Sequence, residues 1–240
     1  MKTKEILHTT KHRPWEIPDK PWKFYQEWNN AIFLHWEVDY DILRKQVPKE
    51  LEIDLFEQKP WVSAVVFAME KIRPKNLPSF PPVSNFNETN IRTYVRFKGK
   101  PGVYFLSIEA DKRISCAIAK GISELPYRFS EMKREKSSFT SRNQKFKDQL
   151  NFEYILGKKV TNKTATDKWL TERYALFQDT RSSINQFEIH HIEWPIQEVK
   201  ISKLNINYPR FSDLIHSTPD IINYSPGIQV IAWGKNKVKK

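Results

Sequence analysis

Between Glu88 and Lys98 the side chains alternate in character from one residue to the next. Successive side chains of an extended strand point to opposite faces. One face therefore carries Ile91, Thr93, Val95 and Phe97, the other Glu88, Asn90, Arg92, Tyr94 and Arg96. The run ends in Lys98-Gly99-Lys100-Pro101-Gly102, a set of turn residues, and Val103 to Ala110 reads as a return strand. Two such runs joined by a short glycine-containing turn predict a β-hairpin. A chain built around it must supply further strands, because a lone hairpin is not stable in water.

Those strands are predicted at 31–36, 51–56 and 61–67, where short apolar or alternating runs are bounded by polar residues or proline, and again at 187–204 and 227–233. Helices are fewer. Asp39 can cap a short one that ends before Pro48, residues 111–120 carry apolar positions at helical spacing, and 167–174 is a third candidate with Thr166 as its cap. Prolines 74, 78, 81 and 82 exclude a central strand in 73–83. The order is not a series of βαβ crossovers. It predicts an α+β, mainly β chain with a large antiparallel, barrel-like sheet. No linker divides it, so 13–233 reads as one domain, with polar and basic termini at 1–12 and 234–240 expected to fray.

The formal charge of +12 is uneven. From Lys133 to Lys163 nine Lys and Arg face three acids, and the last six residues carry four lysines. Such a region is either a solvated face or a phosphate-tracking patch for nucleic acid. Few aromatics interleave with the basic residues, and no zinc-finger or RNA-recognition signature is present, which favours the first reading. The single cysteine, Cys116, cannot form an internal disulfide. The first residues lack the apolar core of a secretory signal, and the longest apolar run, Trp61–Met69, is too short to span a bilayer. A cytoplasmic location and no membrane partner are the expectations.

The polar face of Glu88, Asn90, Arg92 and Tyr94 has two readings. On an open sheet it is the wet side. If both faces are covered it lines a polar interior, where Glu88 and Arg92 must pair or meet a ligand. An arginine there can hold a carboxylate with two prongs, and a desolvated glutamate can move a proton near neutral pH. His190 and His191 are neighbours on a strand and point apart, and His35 has no acid or cysteine at metal-ligand spacing. No metal site, phosphate loop or serine elbow is predicted.

Several phrases resemble the YqjF-like family of uncharacterised bacterial proteins: Arg13-Pro14-Trp15, Leu34-His35-Trp36, Asn90 to Val95, Pro101 to Phe105, Leu125-Pro126-Tyr127, Leu170 to Tyr174 and His190 to Pro195. That family in turn resembles acetoacetate decarboxylase, to which Leu43 to Asp54 is similar. The resemblance implies an antiparallel β-barrel enclosing a pocket and flanked by short helices, with Glu88 as a pocket glutamate. It also marks a departure. Where the decarboxylase carries its imine-forming lysine and the lysine beside it, this chain has Tyr127 and Arg128, and Asn29 falls near the place of its pocket arginine. A lysine of lowered pKa is what makes that chemistry work. The expectation is a small-molecule-binding barrel with no cofactor, acting on a small oxo-acid or related carboxylate without a Schiff base. Glu88 is its candidate acid–base, and Asn90, Arg92, Tyr94, Tyr127 and His35 are its candidate ligand-binding residues. The alternatives are a non-catalytic ligand-binding or sensing module, or a nucleic-acid binder through residues 133–163. Oligomeric state is left open.

Overall fold

In a computed structural model that describes residues 2–216 and 218–239, the chain runs α1 Thr3–His8, β1 Phe24–Glu37, α2 Tyr40–Arg44, β2 Glu52–Ile53, β3 Trp61–Pro74, α3 Pro81–Ser84, β4 Phe86–Phe97, β5 Lys100–Ala110, α4 Arg113–Ser123, β6 Tyr127–Phe129, β7 Glu131–Arg134, β8 Ser138–Asn143, β9 Asp148–Lys159, α5 Ala165–Thr171, β10 Ala175–Asp179, β11 Ser183–His190, β12 Gln197–Asn207, β13 Ile221–Ala232 and β14 Asn236–Lys239. The predicted hairpin is β4–β5.

The strands form one sheet, and a pairing of β11 with β13 closes β11, β10, β5, β4, β3, β1 and β13 into a ring. Most pairings are antiparallel, but β10 and β6 each run parallel to β5. From β13 the sheet continues through β12, β9, β8 and β7.

Register decides what each face meets. In β3 and β4, Phe67 stands opposite Glu88, Val65 opposite Asn90 and Ser63 opposite Arg92. In β1, Phe33 pairs with Val65. Phe33, Val65 and Phe67 belong to an apolar cluster with Phe86, Cys116 and Trp194 on that side of the sheet. The opposite side carries Ile32, Leu34, Val66, Ile91 and Val95, which pack with Phe139, Leu150 and Phe152 from β8 and β9. The continued sheet therefore folds back over the ring. Ile91 and Val95 are buried and so are Glu88 and Asn90, so β4 is covered on both faces. The wet-face reading of the Glu88 side does not hold.

Local chemistry moved several boundaries. Thr164, not Thr166, caps α5: its hydroxyl accepts from Asp167 N at 3.0 Å, and the Asp167 carboxylate accepts from Thr164 N at 3.0 Å. Only Thr164 has an acid three residues on, which a reciprocal cap needs. The strand expected over 51–56 shrinks to Glu52–Ile53, and the chain then turns at Glu57 and Gln58, both at positive φ. The stretch 187–204 is two strands, broken before Gln197.

Both terminal segments are packed within the described residues. Ile6 of α1 packs with Tyr25, Ile231 and Trp233, and β14 pairs with β11. Most of the basic stretch 133–163 lies in β7, β8 and β9, where Arg134 is half-buried against Phe139. Lys163, after β9, is paired with Glu172 at 2.6 Å. Among the described residues no helix is long and apolar enough to cross a membrane.

Candidate functional site

Inside the ring lies a cavity of about 540 Å³. Glu88, Asn90 and Arg92 reach it from β4 and Tyr127 from the start of β6. Most of the remaining wall is apolar, with Phe33, Phe67, Phe86, Phe105, Ile108 and Leu176 prominent.

The polar groups converge on one carboxyl. The Tyr127 hydroxyl donates to Glu88 Oε2 at 2.7 Å, and Asn90 Nδ2 donates to Glu88 Oε1 at 3.2 Å. Glu88 is 2% exposed. Burial raises its pKa from 4.5 to about 7, against the opposing pull of the Tyr127 and Asn90 hydrogen bonds and the Arg92 charge. Burial and the nearby carboxylate push the Tyr127 phenol well above its ordinary value, so it remains a proton donor. Asn90 Oδ1 has no hydrogen-bond partner among the described residues. A protonated Glu88 would supply one if the Asn90 amide turned over.

Arg92 is 8% exposed. Its Nη2 makes one long hydrogen bond, 3.4 Å to Leu170 O, and its guanidinium lies near the faces of Phe33 and Tyr94. Its Nε has no hydrogen-bond partner among the described residues. The other arginine of the wall, Arg173, differs: its Nη1 donates to Asp54 at 2.6 Å. Arg173 is committed to the fold, whereas Arg92 faces the cavity without a carboxylate bonded to it.

Tyr94 and His35, expected to line the pocket, lie outside the wall. Both point to the inner face of the ring, as alternation requires, but α5 plugs that end. Tyr94 lies tilted against Trp169, ring centroids 4.6 Å apart, and donates to Leu170 O at 2.9 Å. His35 Nδ1 is 2.7 Å from Ser63 Oγ, which is 2.7 Å from the Tyr94 hydroxyl. His35 and Ser63 are fully buried, so this His–Ser pair has no route to a substrate. Burial first, and then Arg92, lowers the His35 pKa to about 3, which leaves the ring neutral.

Among the wall residues not read from the sequence as site residues are His191 and Trp194. His191 is buried, lies tilted against Tyr174 with ring centroids 4.8 Å apart, and has its pKa lowered chiefly by burial. The pair His190-His191 did signal a split: His190 turns to Ile6 O at 2.8 Å while His191 turns to the cavity. Cys116 is buried and its thiol is pushed up to about 11 by burial, which fits an inert packed thiol. Two lysines belong to the wall. Lys23 is exposed, and Lys235 is paired with Glu124 at 2.9 Å. Among the described residues no group of His, Cys, Asp and Glu is arranged to hold a metal ion.

Residues 25–229 match DUF2071, a family described as an uncharacterized conserved protein. The chain belongs to the DUF2071 family. It is 35% identical over 230 residues to the uncharacterized protein YqjF of Bacillus subtilis strain 168, covering 92% of this chain and 95% of that one. This DUF2071 protein shares its fold with acetoacetate decarboxylase from Legionella pneumophila, at a TM-score of 0.63 and 14% identity over 99% of this chain and 96% of that one. It shares it equally with the enduracididine biosynthesis enzyme MppR complexed with pyruvate, at a TM-score of 0.63 and 12% identity over 94% and 93% of the two chains. At such identities the likeness is one of fold. It bears out the decarboxylase-like architecture expected from the sequence.

Proposed function

We propose that this DUF2071 protein binds a small oxo-acid or related carboxylate in the ring cavity and acts on it without a Schiff base. The observation that carries the reading is Arg92: a nearly buried guanidinium, facing a cavity, with an unpartnered Nε and no bonded carboxylate. A buried cation without an anion is costly, and a ligand carboxylate held by two parallel hydrogen bonds removes that cost. The pyruvate in the MppR complex supports the same ligand class on the same fold.

Glu88 sits two positions along the strand from Asn90 and four from Arg92, on the same face. With a pKa near 7 it exchanges a proton readily at neutral pH. In its ionised form it would take a proton from the carbon beside the ligand's carbonyl. Tyr127 would hold the carboxylate in place and steady its charge. Tyr127 cannot form an imine, so the chemistry open to the site is proton transfer rather than the lysine-based reaction.

The test is a thermal-shift screen of short oxo- and hydroxy-acids on wild type and Arg92→Ala. A ligand at a hundred times its Kd adds about 2.7 kcal/mol, which raises Tm by roughly 5–10 °C in a domain of this size. A shift that vanishes in Arg92→Ala is the expected result. No shift across the panel, or one that persists in the variant, overturns the reading. Incubation followed by mass spectrometry then separates turnover from simple binding: a ligand returned unchanged identifies a sensing module.

A further inference from the structure

A short acid alone would leave most of the cavity unfilled. Allowing each heavy atom the roughly 30 Å³ that a water takes in the liquid, the smallest 2-oxo acid fills less than about 200 Å³. The cavity measures about 540 Å³. Four of its buried polar groups lie together: Glu88, Asn90 and Tyr127 are joined by hydrogen bonds, and Arg92 follows on the same strand face. The remaining wall includes the phenylalanines and aliphatic residues named above, which offer nothing to a hydroxyl, an amide or a second charge.

Helix α4 shows where the apolar space leads. Ile118 and Ile122 stand one helical turn apart, and both belong to the cavity wall. Yet Ile118 is 44% and Ile122 53% exposed. Side chains that are at once wall and surface mark where the cavity opens to solvent. Glu88 and Arg92, by contrast, are buried. The site therefore has a desolvated polar group inside, a largely apolar wall along its length, and an apolar pair, Ile118 and Ile122, on its exposed rim, which the exposed Lys23 also lines.

From this gradient we infer that the ligand is an amphipathic acid: a 2-oxo or related carboxylate head at Arg92 and Glu88, with an unbranched or aromatic hydrocarbon tail that runs out to Ile118 and Ile122. The inference rests on the reading of Arg92 as the anion site. It adds that most of the binding free energy comes from the tail, because each buried methylene contributes while the head fixes orientation.

The experiment is calorimetric titration of the full chain with straight-chain 2-oxo acids of increasing length. Wild type, Arg92→Ala and an Ile118→Asn, Ile122→Asn double variant are compared. Both isoleucines are substantially exposed, so the double variant is not expected to disturb the core, and its unfolding transition checks this. The expected result is a Kd that falls about fourfold per added methylene until the tail reaches the mouth. That fall should flatten in the double variant, and Arg92→Ala should weaken every acid of the series. A Kd independent of length, with short acids still binding through Arg92, overturns the tail and leaves the proposed function standing. A length dependence that survives in the double variant, or an affinity that Arg92→Ala leaves unchanged, shows hydrophobic uptake by another route and also overturns it. No binding of any acid overturns the proposed function itself.

Discussion

The Tyr127 hydroxyl donates to Glu88 Oε2 at 2.7 Å, so the residue standing where the decarboxylase resemblance places a lysine is bound to the one carboxyl that the same resemblance places in the pocket. A phenol at that place holds the Glu88 proton equilibrium rather than attacking a carbonyl, and the site's behaviour follows from that pair.

Glu88→Gln is expected to abolish turnover while the ligand still binds, because Arg92 remains. It is also expected to stabilise the protein in a defined pH window. The Glu88 pKa rises from 4.5 to about 7 on folding, so the folded state holds this proton more tightly than the unfolded one. Stability from it is fully present below about 4.5 and is lost as pH rises through 7, to an extent of about 3 kcal/mol. Urea unfolding of wild type and variant should therefore agree best near pH 4 and differ most near pH 8, with the variant the more stable. A pH-independent difference would refute the buried-acid account of Glu88.

Tyr127→Phe removes a hydrogen bond that favours ionised Glu88. The Glu88 pKa should move above 7, read as an upward shift of its side-chain carboxyl resonance titration in labelled protein. An unchanged or lower midpoint would mean that Tyr127 does not act on Glu88.

Gly102→Ala tests the parallel seam that helps close the ring. A Cβ at Gly102 would lie 2.6 Å from Ala175 O and 2.7 Å from Phe177 Cε2. The backbone carbonyl cannot step aside without parting β5 from β10. A loss of about 1–3 kcal/mol or more is expected, with faster amide exchange in β10. Wild-type stability would show that the seam tolerates separation.

Asp54→Asn leaves the buried Arg173 guanidinium without its anion, since Asp54 accepts from Arg173 at 2.6 Å and from Arg96 at 2.7 Å. The expected cost is about 3–5 kcal/mol. Adding Arg173→Met should recover part of it, as no charge is then left stranded. A small effect of Asp54→Asn, measured by denaturant unfolding, would show that Arg173 reaches water.

What the sequence determined lies in the period of its strands and in the residues at their ends. The alternation over Glu88–Phe97 placed Glu88, Asn90 and Arg92 on one face, and the Lys98–Gly102 turn fixed the hairpin, because side-chain direction in a strand is local. The YqjF-like phrases such as Pro101–Phe105 and His190–Pro195, with Leu43–Asp54 similar to the decarboxylase, extended that to a decarboxylase-like architecture. Only the tertiary structure decided which part of the inner face is a cavity. Tyr94 and His35 point the same way as Arg92, yet Trp169 and Leu170 of α5 fill the space before them. His191 and the exposed isoleucines of α4 come to the wall from residues far along the chain. Whether a polar side chain meets a helix, a solvent-filled space or another strand depends on contacts between distant segments, and those are set by how the sheet closes rather than by the pattern of any one strand.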